Sequence, residues 1–191
     1  MHSQDDEAGL WSRARRDDGV AFAALFDLHQ ARVYRRALGL LGNVHDAEDV
    51  AAAAFFELWR KRRTVLLVSG SVLPWLLVTT VNLSRNALRR TLRYRRLLHD
   101  LASDKSASGP EVDESDVRQR LASSLGRLSP VDGALFVLTV LEGVPIAQAA
   151  EAVGLKASTA RVRLHRARAR LRDQLPDLNP TARPASEGNQ P

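Results

Sequence analysis

Between Lys156 and Arg172 the chain carries seven bases, Lys156, Arg161, Arg163, Arg166, Arg168, Arg170 and Arg172, and no acid. A guanidinium is planar, binds oxyanions through paired N–H donors and stays charged at every cellular pH. That spacing therefore suits a phosphate-rich partner. Pairing with acids inside this run, the ordinary use of a charged helix face, cannot be what these bases are for. A second cluster, Arg85, Arg89, Arg90, Arg93, Arg95 and Arg96, places six arginines within twelve residues, with Asn82, Asn86 and Tyr94 among them. Asparagine can bond base edges and an aromatic ring can stack on an unpaired base. By charge alone the second cluster suits a protein-docking face equally well.

Residues for catalysis are missing. The five histidines, His2, His29, His45, His99 and His165, form no metal-type pair with one another or with a suitably spaced carboxylate. No glycine-rich phosphate loop and no nucleophile elbow occur. With no cysteine, disulfides, thiolate metal sites and thiol catalysis are excluded. The expectation is a protein with no catalytic residues, no metal and no cofactor, and not an enzyme. The net charge of +6 in 191 residues is compatible with a nucleic-acid partner and equally with a solvated basic surface. The first residues include Asp5, Asp6 and Glu7 and no apolar run, unlike a secretory signal. The longest apolar stretch, 134–140, falls far short of the roughly 18 residues of a membrane span. A cytoplasmic protein is expected.

The elements that must carry these residues follow from apolar spacing. The composition, 45% hydrophobic but only 5% aromatic, with Leu, Ala and Val dominant, favours helices packed on helices. Phe22, Leu25, Phe26, His29, Val33, Ala37 and Leu40 recur at helical spacing and predict a helix over 20–41, ended by Gly42-Asn43. A second helix is predicted over 46–62, with acids in its first turn and Arg60–Arg63 at its end, as the helix dipole favours. The 64–70 stretch reads as a loop, since its Val-Leu-Leu-Val run has no strand to pair with. Ser71 is the expected N-cap of a long helix to about residue 98. Residues 100–116 then hold six acids against one base, Lys105, and read as a flexible acidic linker.

Beyond it, a short helix is expected over 117–125, and Ser129-Pro130-Val131-Asp132 has the residues of a helix start. That helix runs to Glu142, where Gly143 breaks it. Another follows from Pro145 to Gly154, and the last covers 157–174. The final pair has the plan of a helix-turn-helix, in which Ala160, Leu164, Ala167 and Leu171 share a buried stripe and Arg161, His165, Arg168 and Arg172 lie opposite. Prolines from Pro176 onward mark a tail. The expected fold is all-α: a terminal tail at 1–17, a first helical domain at 18–99, the linker at 100–116, a helix-turn-helix domain at 117–175, and a disordered tail at 176–191.

Here the motifs resemble a known family. Asp46-Ala47-Glu48-Asp49-Val50, with Phe55 and Leu58-Trp59, is similar to the second conserved region of extracytoplasmic-function (ECF) sigma factors of the sigma-70 superfamily. Pro74-Trp75-Leu76, Asn82 and the arginine-rich helix resemble its continuation. Leu128-Ser129-Pro130, Leu138, Glu142-Gly143 and the run from Thr159 through Arg163-Leu164-His165-Arg166-Ala167-Arg168 to Leu171-Arg172 resemble the fourth region. The likeness spans about 20–98 and 121–175.

The resemblance implies a subunit that binds core RNA polymerase, through the clamp helices of its largest subunit and the flap, and directs it to the −10 and −35 promoter elements. It implies that Glu48, Asp49 and Trp59 dock on the polymerase. Asn82, Arg85, Asn86, Arg89 and Arg90 would hold the −10 DNA, and the 64–73 loop would capture an unstacked base. Ser158, Thr159, Arg161, Val162 and His165 would face the −35 major groove, with Arg163 and Arg166 on its phosphates. An anti-sigma factor is a common partner in the family. Some positions depart from its pattern: Ala52-Ala53-Ala54 stands in place of the usual Gln-Glu-Thr, Gly133 in place of Arg, Pro145 in place of a capping Ser, and Gln148-Ala149-Ala150 in place of Glu-Ile-Ala. Two other readings of the same residues are a helix-turn-helix regulator that works without polymerase and a degenerate sigma-like adaptor.

Overall fold

A computed structural model describes residues 2–101 and 114–175, and within these every regular element is helical. The amino-terminal unit comprises α1 (His2–Ala14), α2 (Gly19–Leu41), α3 (Val44–Arg60) and α4 (Leu73–Leu101). The carboxy-terminal unit comprises α5 (Glu114–Arg127), α6 (Pro130–Phe136), which widens into a π turn over Val137–Leu141, α7 (Ile146–Ala152) and α8 (Ala157–Gln174).

Helix α2 forms where periodicity predicts it. Asp18 Oδ1 accepts from the N–H groups of Val20 and Ala21, both at 3.0 Å, and Gly42 ends the helix at φ 68°, a conformation glycine adopts without steric cost. Its inward stripe includes Leu25, Val33 and Ala37, each fully buried. Asn43 opens α3 by accepting from Asp46 N–H at 3.0 Å, which starts that helix two residues earlier than the acids alone suggest. Leu25, Phe55, Leu58 and Leu76 close the first core.

The segment read as a terminal tail, 1–17, is instead largely helix α1. Trp11 and Ala14 are 2% and 0% exposed, so α1 docks into the first core through a stripe spaced three apart. Burying one Trp side chain contributes on the order of 2–3 kcal/mol, enough to hold a short helix in place. The 64–70 loop has no strand; Val68 and Ser71 make a single antiparallel bridge across Ser69 and Gly70, whose φ values are 51° and 80°. The helices flanking the expected linker are longer than predicted: Asp100 lies in α4, and Glu114 and Asp116 lie in α5. The rest of that linker and the carboxy-terminal tail fall outside the described residues.

In the second unit, Ser129 Oγ accepts from Asp132 N–H at 3.1 Å and Pro130 occupies the first turn, the cap read from sequence. Pro145 gives α7 no side-chain cap. The two units meet over apolar surface: Leu40 and Val81 share a cluster with Leu125, Leu128 and Leu171, and Leu77 shares another with Leu135 and Leu138.

Candidate nucleic-acid interface

Helix α8 occupies the residues expected of it, and the reason is visible in its packing. Ala160, Leu164, Ala167 and Leu171 are all buried, three of them beneath 6% exposure, so α8 presents one fixed face to α6 and α7. The turn before it holds Gly154 at φ 71° and closes through Leu155 N–H donating to Ala150 O at 2.8 Å. The opposite face is set by elimination. Ser158, Thr159, Arg161, Val162, His165 and Arg166 are exposed, and no ion pair among the described residues holds Arg161, Arg166 or Arg168. Basic side chains that no internal acid neutralises leave a strongly positive ridge.

Arg163 differs from its neighbours. Its Nε donates to Asp132 Oδ1 at 2.8 Å and its Nη2 to Ser129 Oγ at 3.1 Å, tying α8 to the start of α6. Predicted as a phosphate contact, it is engaged inside the protein, with its side chain 38% exposed.

The residues expected at the −10 element lie on α4 but are not equally accessible. Asn86, Arg89 and Arg90 are exposed, as is Tyr94. Arg85 is 4% exposed and its Nη2 donates to the carbonyls of Gly126, at 3.2 Å, and Leu128. Burial, the like charge of Arg89 next to it, and only partial relief from Asp132 push its pKa below the ordinary value. Its Nε and the Oδ1 of Asn82 are buried without a hydrogen-bond partner. Leaving such groups unpaired costs roughly 1–3 kcal/mol each.

The loop expected to meet an unstacked base is held from behind by a device the sequence reading missed. Glu7, 5% exposed, uses one oxygen, Oε1, to bond His29 Nε2 at 2.8 Å, Ser71 Oγ at 2.9 Å and Val72 N–H at 2.8 Å. Burial alone would raise the Glu7 pKa; the hydrogen bonds from His29, Val72 and Ser71, with the His29 charge, outweigh it and hold the carboxyl below its ordinary value. Ser71 Oγ also accepts from Leu73 N–H at 3.0 Å, so the expected cap of α4 is present with Glu7 behind it. Asp17 anchors the other end of the loop by pairing with Arg62 and Arg63, whose hydrogen bonds hold its carboxyl low. Between the buried Val65 and Val68, Leu66 projects at 74% exposure.

On α3, Glu48 and Asp49 are exposed. Trp59 is half-buried, edge-on to Phe22 at 4.9 Å, with the Arg62 guanidinium 4.2 Å above its ring. It packs more than it projects. The large apolar group on the outer face is Phe56, 65% exposed, which the sequence reading passed over. Adjacent Phe55 and Phe56 point about 100° apart on a helix, so with Phe55 buried its neighbour has to face out. Among the described residues no group of three or more His, Asp or Glu side chains could hold a metal ion. No described helix is long and apolar enough to cross a membrane.

Two helical units, the second a helix-turn-helix with a basic outer helix, define a class of nucleic-acid-binding architecture. Comparison with known proteins narrows it. Residues 25–96 match the family model for sigma-70 region 2, and residues 118–171 match that for sigma-70 region 4. The ECF RNA polymerase sigma factor SigE of Mycolicibacterium smegmatis is 34% identical over 154 residues, 77% of this chain and 58% of that one. The RNA polymerase sigma factor CarQ of Myxococcus xanthus is 30% identical over 160 residues, 83% of this chain and 91% of that one. The chain thus spans little more than half the length of the SigE relative, and most of CarQ. Among solved structures, CnrH in complex with the cytosolic domain of CnrY aligns with a TM-score of 0.60 at 24% identity, over 91% of this chain and 99% of that one. The sigma factor RpoE in complex with the anti-sigma factor NepR from Bartonella quintana aligns with a TM-score of 0.50 at 21% identity, over 83% of this chain and 98% of that one. At these identities the structures speak to the fold. The chain belongs to the sigma-70 family of RNA polymerase sigma factors, in its ECF group.

Proposed function

We propose that this chain binds core RNA polymerase in the cytoplasm and directs it to promoters, reading a −35 element with α8 and a −10 element with α4 and the 64–73 loop. It acts by binding, without catalysis. The observation that carries this reading is the unpaired basic face of α8, which a buried stripe and the Arg163–Asp132 tie hold rigid. Such a helix fits a major groove, with Arg161 and His165 near base edges and Arg166 near phosphates. Strand opening needs no chemical step: a trapped base offsets an unstacking cost of a few kcal/mol. The polymerase clamp helices meet the outer face of α3, which carries the exposed Glu48, Asp49 and Phe56, while Trp59 packs against Phe22. The flap meets the second unit. An anti-sigma factor is a further proposed partner, in keeping with the complexes of CnrH and RpoE.

The test is copurification with core polymerase followed by transcription on genomic DNA with start sites mapped. New start sites are expected. A complex without them would favour the adaptor, and DNA binding without a complex would favour the polymerase-independent regulator. Two smaller effects check the parts. Phe56→Ala is expected to weaken core binding by about 1–2 kcal/mol, as loss of an apolar anchor usually does; an unchanged Kd in a fluorescence titration would remove Phe56 from the interface. Asn82→Ala is expected to impair opening more than duplex binding, and normal permanganate reactivity at the −10 element would refute its assignment.

A further inference from the structure

Among the described residues the two units are joined by polar contacts around Glu142 and around Arg85 as well as by apolar packing. Glu142, with its side chain 6% exposed, reaches from the second unit into α2: Arg32 Nε donates to its Oε2 at 2.7 Å, and Arg36 donates to its Oε1. The same arginines bond the backbone carbonyls of Glu142 and Leu141, both at 3.2 Å. At the second point Arg85 enters the carboxy-terminal unit and lies against Gly133. A Cβ built on Gly133 would stand 3.6 Å from Arg85 Cδ and 3.8 Å from Leu125 O, so any longer side chain there would have to take the place Arg85 occupies.

We propose that the free protein closes on itself, with Glu142 latched between Arg32 and Arg36, and that closure withdraws Arg85 from DNA. Closure gives Arg85 two neutral carbonyls in place of water and leaves its Nε unpaired. A DNA phosphate is a better partner, because charge-assisted hydrogen bonds are roughly twice as strong as those to neutral acceptors. DNA and the carboxy-terminal unit therefore compete for one side chain, and each disfavours the other. Glu142 supplies the opposite bias: a nearly buried carboxylate whose cations, among the described residues, lie on the other unit holds the closed form until something displaces it.

The inhibitory half of this proposal rests on the reading of α4 as a DNA-binding helix, and the experiment separates the two. The chain has no cysteine, so Gln30→Cys and Glu151→Cys, both at exposed positions, give one dye pair across the units in the full chain. Energy transfer between them and retention of a labelled mixed-sequence DNA duplex at low salt are measured together. Two openings from opposite ends of the interface are compared, Glu142→Arg and Gly133→Arg, with Glu142→Arg combined with Arg32→Glu and Arg36→Glu as the restored latch. Lower transfer is expected in both openings, with DNA affinity raised at least about fivefold, the lower range of usual coupling between sites. The triple variant is expected to return transfer to the parent level, showing that Glu142→Arg still folds. Unchanged transfer in both openings overturns closure. Reduced transfer with unchanged DNA affinity overturns inhibition. If no form retains DNA, alone or with core polymerase, the functional reading fails and takes the inhibitory half with it, while the dyes still report closure.

Discussion

Glu7→Ala is expected to lower the stability of the amino-terminal unit by about 2–4 kcal/mol, since each buried polar group left unpaired costs about 1–3 kcal/mol. The substitution removes one oxygen that serves three partners on two other segments, His29 on α2 and Ser71 and Val72 at the entry to α4. Urea denaturation of the full chain measures it, and a loss below half a kilocalorie per mole would mean that water replaces the carboxylate. The sign of the pH effect follows from the carboxyl being held below its ordinary value of 4.5. A carboxylate with a depressed folded-state pKa contributes stability that is present above the unfolded value and lost as pH falls through the folded one. Glu7→Gln keeps an acceptor and removes the charge. Its deficit relative to the parent is therefore expected to be full near neutrality and to shrink below about pH 4.5. A deficit constant down to pH 3 would show that the charge contributes nothing. Both variants are also expected to expose the 64–70 segment to proteolysis, because Glu7 holds the end of that loop.

That clamp also marks where the sequence stopped being legible. Helix α8 was readable to its bounds because its buried stripe is local: four small or leucine side chains at spacings of four, three and four leave one arrangement open. Ser129 as a cap, and Gly42, Gly143 and Gly154 as breaks, were legible for the same reason, whereas the Asp18 cap of α2 came only with the structure. Helix α1 was not. Asp5, Asp6 and Glu7 resemble a solvated tail, and only the spacing of Trp11 and Ala14 hinted at a docked face. The Glu7–His29 pair joins residues 22 apart, and Ser71 lies 64 away; no periodicity rule reaches such distances.

The charged residues show the same limit more sharply. Arginines at 85 and 163 look like their exposed neighbours in sequence, yet one is buried against backbone carbonyls and the other is tied to Asp132. Composition reports how much charge a helix carries; which of it faces out depends on what packs against the helix. Gly133 is the nearest thing to a signal for Arg85, as an unfilled place in α6, and its meaning becomes visible only with α4 beside it. The π turn ahead of Glu142 replaced a predicted straight helix end. It precedes Glu142, an acid that bridges the units, in keeping with the placement of such turns at functional positions.

The second large effect is expected from the α8 face. Arg161→Ala and Arg166→Ala together should weaken binding to a −35 duplex by about 2–6 kcal/mol, at roughly 1–3 kcal/mol for each arginine. The two are expected to differ in kind. Arg161 stands one turn into α8 beside Ser158 and Val162, where a side chain meets base edges; its loss should cut affinity for the preferred sequence and leave nonspecific binding nearly intact. Arg166 is assigned to the DNA backbone in the proposed docking, so its loss should weaken all duplexes alike and lower the salt dependence by about one phosphate, a slope change near 0.9. Both residues are exposed and unpaired, so the fold should be unaffected. Arg163→Ala is the control with the opposite signature. Because it ties α8 to Ser129 and Asp132, it should destabilise the carboxy-terminal unit before it alters any salt slope. Fluorescence anisotropy across a salt series on matched and scrambled duplexes distinguishes all three. Equal losses on both duplexes for Arg161→Ala would move that side chain from the bases to the backbone and reverse the orientation of α8 in the groove.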